Sequence, residues 1–86
     1  MTYDLSPDVT ATETADGLVL LDLRSGRYWQ LNPTASGVLG SLLAGASPDE
    51  AARELSDRAG IPAERSAGDV RQLIRGLRDH RLVVTR

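Results

Sequence analysis

The chain has 86 residues, 41% of them hydrophobic and 26% charged, with a net charge of −2 and a pI near 5.2. That length suits one domain with one modest core, spanning residues 1–86, and leaves no room for a substrate domain beside a cofactor domain. Acidity removes any global attraction to nucleic acid or to an anionic membrane. The lack of cysteine excludes disulfides, thiolate metal sites and cysteine nucleophiles, and no stretch approaches the roughly 20 apolar residues of a membrane span, so the expected location is cytoplasmic.

Strand patterns fill the first half. Residues 9–13 alternate weakly between apolar and polar, and Asp16-Gly17 supplies turn chemistry before the run Leu18-Val19-Leu20-Leu21-Asp22-Leu23. Arg24-Ser25-Gly26 forms a second turn ahead of Arg27-Tyr28-Trp29-Gln30-Leu31. A three-residue loop with Gly26 in a left-handed bulge position would pair Leu23 with Arg27, Leu21 with Trp29 and Val19 with Leu31, which groups the large apolar residues. A two-residue loop would set Asp22 opposite Trp29 and leave a carboxylate on the apolar face, so the bulged hairpin is expected.

Helix patterns fill the second half. Asn32 caps a segment with Pro33 at its first position and an apolar stripe of Ala35, Val38, Leu39, Leu42 and Leu43, ending at Gly45. Ser47-Pro48-Asp49-Glu50 carries a serine cap with glutamate three residues on, and Gly60 stops that helix. Ser66-Ala67-Gly68-Asp69 can open a third helix, running to about His80, on which Val70, Leu73, Ile74 and Leu77 form one buried face. Residues 82–85 form an apolar tail that adds a terminal strand or covers the core. The expected fold class is α+β, a winged helix-turn-helix-like arrangement in which a three-stranded antiparallel sheet is followed by three helices.

No constellation for catalysis emerges. The only histidine, His80, falls at a helix end, where it can favour the helix dipole or sit in water, and metal binding needs several converging ligands. The serines lack a histidine base in a triad pattern, and no glycine-rich phosphate loop is present. The expectation is a protein that is not an enzyme and holds no metal or cofactor.

Two features remain. Arg71, Arg75 and Arg78 repeat at i, i+4 and i+7 beside the apolar face of the third helix. They suit a solvated face, a grip on DNA phosphates or a hold on an acidic peptide, and the acidity of the chain favours the peptide. Tyr28 and Trp29, being adjacent on a strand, point to opposite faces and cannot share one core. If strand order is sequential, their strand is a sheet edge, and its unpaired backbone groups are a template for an added peptide strand.

Leu20-Leu21-Asp22-Leu23 followed by Ser25-Gly26-Arg27-Tyr28-Trp29-Gln30-Leu31-Asn32-Pro33-Thr34-Ala35, with Ser47-Pro48-Asp49-Glu50-Ala51-Ala52 and Asp69-Val70 in order behind it, resembles the PqqD-like family. Many members end the third helix in a Gly-Leu pair, where this chain has Arg81-Leu82. The resemblance implies a recognition element for ribosomally synthesised, modified peptides (a RiPP recognition element), most like the stand-alone leader-binding subunit of a split lasso-peptide B protein. It implies a precursor leader peptide added as a strand to the third strand, against the third helix. The partners it implies are a separate, cysteine-protease-like leader peptidase and a cyclase, with no nucleic acid and no membrane. Carried over by position, the implied groove comprises Arg27, Tyr28, Trp29, Gln30 and Leu31 on one side and Asp69, Val70, Arg71, Leu73, Ile74 and Arg75 on the other. Alternative readings are a winged-helix DNA-binding or regulatory domain and a PqqD-type chaperone in quinone cofactor biosynthesis. An open edge can also pair with its own copy, so a monomer or weak homodimer is expected.

Overall fold

The computed structural model describes residues 2–86. In chain order its elements are β1 (Tyr3–Leu5), β2 (Val9–Thr14), β3 (Gly17–Asp22), β4 (Tyr28–Leu31), α1 (Pro33–Leu43), α2 (Pro48–Ala59), α3 (Ala63–Asp79) and β5 (Val83–Thr85). The α+β class, the hairpin-first order and the three helices match the sequence expectation. β1 lies beyond the expected strands, and the tail takes the strand alternative as β5. β1 pairs antiparallel with β5 in a separate two-stranded sheet, while β2, β3 and β4 form the main sheet in that order. The apolar tail therefore becomes a strand because Tyr3–Leu5 offers it a partner from the other end of the chain.

The β3–β4 register differs from the expected one by one residue. Leu20 lies opposite Trp29 and Leu18 opposite Leu31, in place of Leu21 with Trp29 and Val19 with Leu31, and Leu23 belongs to the loop and not to a pair with Arg27. The reason is the Asp22 side chain. Its carboxylate accepts from the Arg24 backbone N–H at 3.0 Å and from the Ser25 hydroxyl at 3.0 Å, and the Ser25 oxygen in turn accepts from the Arg27 N–H. Residues 23–26 become a closed turn, with Gly26 at φ +74 donating its N–H to the Asp22 carbonyl and the Asp22 N–H bonding to Arg27. Asp22 thus finds its partners in the turn, without being stranded on the apolar face. Those same donors, the Arg24 N–H first and the Ser25 hydroxyl with it, hold its carboxyl below the ordinary carboxylate range.

The other hairpin end has its own constraint. Gly17 sits at φ +137, and a Cβ there would meet the Leu31 carbonyl oxygen at 2.0 Å, so only glycine lets β4 close against the start of β3.

The helix starts at Asn32 and Ser47 follow the sequence. The Asn32 side chain accepts from the Ala35 N–H, and Ser47 and Glu50 make a reciprocal capping box. α3 begins at Ala63, four residues before the start that a Ser66 cap would give. Pro62 presets the entry and its carbonyl accepts from the Ser66 N–H, so Ser66 lies inside the first turns, fully buried, and does not act as the cap. At its far end α3 closes in a Schellman turn: Leu82 N–H bonds to Leu77, and Arg81 N–H to Arg78. Arg81 takes a left-handed φ of 57 there, a conformation that favours glycine.

The core gathers Leu20 from the sheet, Val38, Leu39 and Leu42 from α1, Leu55 from α2, and Val70, Ile74 and Leu77 from α3, with Tyr3, Leu82 and Val83 closing one side. Among the described residues no helix is long and apolar enough to cross a membrane.

Two outcomes are expected from this architecture. Arg81→Gly removes the cost of a left-handed non-glycine residue, so its urea unfolding free energy should rise by about 0.5–1 kcal/mol; an unchanged or lower value would mean that the arginine side chain compensates. The carboxyls of Asp22 and of Glu50, the latter held low chiefly by the Ser47 N–H, are both depressed in the fold. Their contribution is therefore present above the ordinary carboxylate pKa of about 4 and lost as pH falls through the lower folded values. Urea midpoints of the parent chain and of an Asp22→Asn, Glu50→Gln double variant should converge as pH falls to about 2.

Candidate functional site

Register dictates what β4 offers. Because the Asp22 N–H bonds to Arg27, alternation makes Leu20–Trp29 and Leu18–Leu31 the hydrogen-bonded pairs of the β3–β4 ladder. The N–H and C=O groups of Tyr28 and Gln30 then point the opposite way, off the outer edge of the sheet. β4 is that edge, and among the described residues no backbone hydrogen bond outside the ladder engages Tyr28 or Gln30.

Side chains divide by face. Trp29 and Leu31 share the face of Leu20 and are half-buried against the core, whereas Tyr28, 69% exposed, and Gln30 lie on the opposite face. Trp29 was expected to turn inward and does so, though its partner is Leu20 and not Leu21. Its ring lies 5.2 Å from that of His80 and the Arg27 guanidinium sits 5.8 Å from its centroid, so cation–π attraction steadies the indole at the rim of the sheet.

The contact with His80 says which side of α3 faces β4. At about 100° per residue, Asp69, Leu73, Gly76 and His80 fall along one flank of the helix, and Arg71, Arg75 and Arg78 along the other. Leu73 is half-buried beside the core. Trp29 and Leu31 from β4 and Leu73 from α3 all pack, half-buried, against the same core, and the Trp29–His80 contact joins the two elements at one end.

The residues expected to line one groove differ in burial and in their neighbours. Trp29, Leu31 and Leu73 pack half-buried against the core, Arg27 packs over Trp29, and Asp69 shares a shallow depression with Arg71 and Arg75. Val70, at 1% exposed, is consumed by the core and Ile74 nearly so, because both lie on the centre of the buried stripe. Arg71 and Arg75 line a different depression with Tyr3, Pro48 and Asp49. His80 was passed over as a helix end, although its spacing from Leu73 puts it on the same flank and could have flagged it. Tyr3 precedes any periodic pattern and carried no signal.

An open strand edge at the rim of the sheet and a long amphipathic helix packed on the same core define a small α+β domain. Residues 17–83 match the family model described as coenzyme PQQ synthesis protein D; the chain belongs to the PqqD family. Over 99% of this chain and 100% of the other, it superposes with a TM-score of 0.93 on a lasso peptide synthetase B1 complexed with the leader peptide, at 33% identity. TbiB1 in complex with the TbiA(beta) leader peptide superposes with a TM-score of 0.87 at 24% identity, over 100% of this chain and 98% of that one, and shares the fold. No curated protein sequence gives a significant match.

The geometry separates two kinds of α3 residue experimentally. Val70→Asp should abolish cooperative unfolding, since it buries an unpaired charge, whereas Leu73→Asp should leave the circular dichroism spectrum and a cooperative transition intact. Equal loss of structure in both would place Leu73 in the core.

Proposed function

We propose that this protein binds the leader segment of a ribosomally synthesised precursor, of the lasso-peptide kind, as an added strand along β4. The observation that carries this reading is the free edge of Tyr28 and Gln30 beside Trp29, in a chain of the PqqD family that is 33% identical to a synthetase subunit solved with a leader peptide. A strand laid there pairs with up to four backbone groups, the N–H and C=O of Tyr28 and of Gln30. Its residue opposite Trp29 turns its side chain toward the floor shared with Leu31 and Leu73, and its neighbours turn toward Tyr28 and Gln30.

Magnitudes fit a moderate binder. Two or three apolar anchors contribute roughly 1.5–3 kcal/mol each, and backbone hydrogen bonds about 0.5–1.5 kcal/mol each. Ordering a flexible leader costs on the order of 2–5 kcal/mol, which leaves an affinity near or below micromolar. Recognition needs no covalent step, and the protein acts as a binding subunit and not as an enzyme. It delivers the held precursor in the cytoplasm to separate enzymes, a cysteine-protease-like leader peptidase and a cyclase. The family also contains proteins named for quinone cofactor synthesis; the same groove would serve there, and finding a lasso-type precursor, leader peptidase and cyclase encoded nearby would distinguish the two.

The test is a fluorescence titration with the synthetic leader of the neighbouring precursor gene and a scrambled control. The native leader alone should saturate, and Leu73→Asp should weaken it at least tenfold, about 1.4 kcal/mol. Gln30→Pro removes an outward N–H at an edge position where proline is tolerated, so it should weaken binding with the fold intact, while Trp29→Pro removes a ladder bond to Leu20 and should destabilise the sheet. Equal binding of the scrambled leader, or full affinity in Gln30→Pro, would sink the strand-addition reading.

A further inference from the structure

On the other flank of α3 lies an open depression of about 640 Å³. Its floor is apolar where Ala67 and the exposed margins of Tyr3 and Ile74 line it, and its rim carries Arg71, Arg75 and Arg78. Asp49 and Asp79 also line it, leaving an excess of positive charge. Among the described residues the ion pairs are Arg24 with Asp8 and Arg86 with Asp4, so none of the three rim arginines is engaged in one.

The placement of charge is uneven. The chain is acidic overall, yet half of its ten basic residues, Arg65, Arg71, Arg75, Arg78 and Arg81, lie on α3 or its exit turn. Guanidinium groups ranked at i, i+4 and i+7 above an apolar floor match a segment that offers carboxylates at its edges and one bulky apolar side chain between them. A phosphate backbone would use the arginines and gain nothing from the floor, and the net charge of −2 opposes it.

We propose that this depression is a second peptide-docking surface, which takes an acidic, apolar-anchored segment of another protein while the β4 edge stays free for its own strand. Since α3 separates the two sites, one domain can hold two chains at once, one on each flank of the same helix. The site rests on the geometry of this flank and stands or falls independently of the leader groove.

The probe is a short fluorescein-labelled peptide with a central phenylalanine flanked by glutamates and aspartates. Its controls are the same peptide with glutamine and asparagine in place of the acids, and with serine in place of phenylalanine. Binding to the intact chain should require both features, fall steeply with salt, and move the backbone amide resonances of Tyr3, Ala67 and Arg75 while leaving Tyr28 and Gln30 unmoved. Arg71→Glu with Arg75→Glu, at exposed positions, should weaken it about tenfold while the circular dichroism spectrum stays unchanged. Several outcomes would overturn the proposal: amide shifts confined to β4, affinity unaffected by charge reversal, equal binding of the neutral peptide, occupation of this surface by the leader alone, or tighter binding of a DNA duplex than of the acidic peptide at the same arginines.

Discussion

The turn closed by Asp22 governs most of what this domain can do. Strand side chains alternate with a period of two, so the residue count in the β3–β4 loop decides both which side chains face the core and which backbone groups face the edge. By accepting from the Arg24 N–H and the Ser25 hydroxyl, the Asp22 carboxylate fixes that count. Leu20 and Trp29 then fall on the core side, while the free N–H and C=O groups belong to Tyr28 and Gln30. A shift by one residue would have buried Tyr28 and presented the backbone of Trp29 instead. A short polar loop thereby specifies the geometry of a site whose walls lie on either side of the sheet edge.

α3 carries the second constraint. It is the longest element, and its buried stripe of Ser66, Val70, Ile74 and Leu77 is committed to the core. What it can offer a ligand is confined to its two flanks. The flank of Leu73 and His80 turns toward β4, and the flank of Arg71, Arg75 and Arg78 turns toward Tyr3 and the start of α2. Their chemistry differs: the first offers the Leu73 side chain and the His80 ring, the second three guanidinium groups. A helix anchored along its whole length by the core keeps both flanks in place, so a ligand on either side meets a preformed wall and loses little affinity to reorganisation of the protein.

Legibility from sequence followed locality. The caps at Asn32 and Ser47 and the stop at Gly60 need only residues within one turn, and all three were readable. β1 was not: three residues, Tyr3–Leu5, acquire strand character only from Val83–Thr85 at the opposite end of the chain. The start of α3 was misplaced because a serine followed by a small residue and glycine resembles a cap, and the preference of Pro62 for an entry position outweighs it. The hairpin register was lost for a chemical reason. Grouping apolar residues by parity treated Asp22 as a charge to be kept off the core face, whereas its carboxylate is a set of acceptors for a turn. The candidate groove was legible as an edge strand and a helix, but its helix residues split across two flanks that an i, i+4 stripe alone cannot assign to neighbours.

An open edge also raises the question of what prevents indiscriminate pairing. β4 is four residues long and its free groups come from two of them, so a second copy of the strand could form few backbone bonds, worth about 0.5–1.5 kcal/mol each, against the entropy of association. Backbone pairing by itself is too weak to hold two chains together. Occupancy of the edge depends on what the incoming strand adds toward Trp29, Leu31 and Leu73, and the short edge therefore makes selection by side chain a condition of binding at all. Length, which limits the number of sequence-blind hydrogen bonds, is in this fold a determinant of specificity.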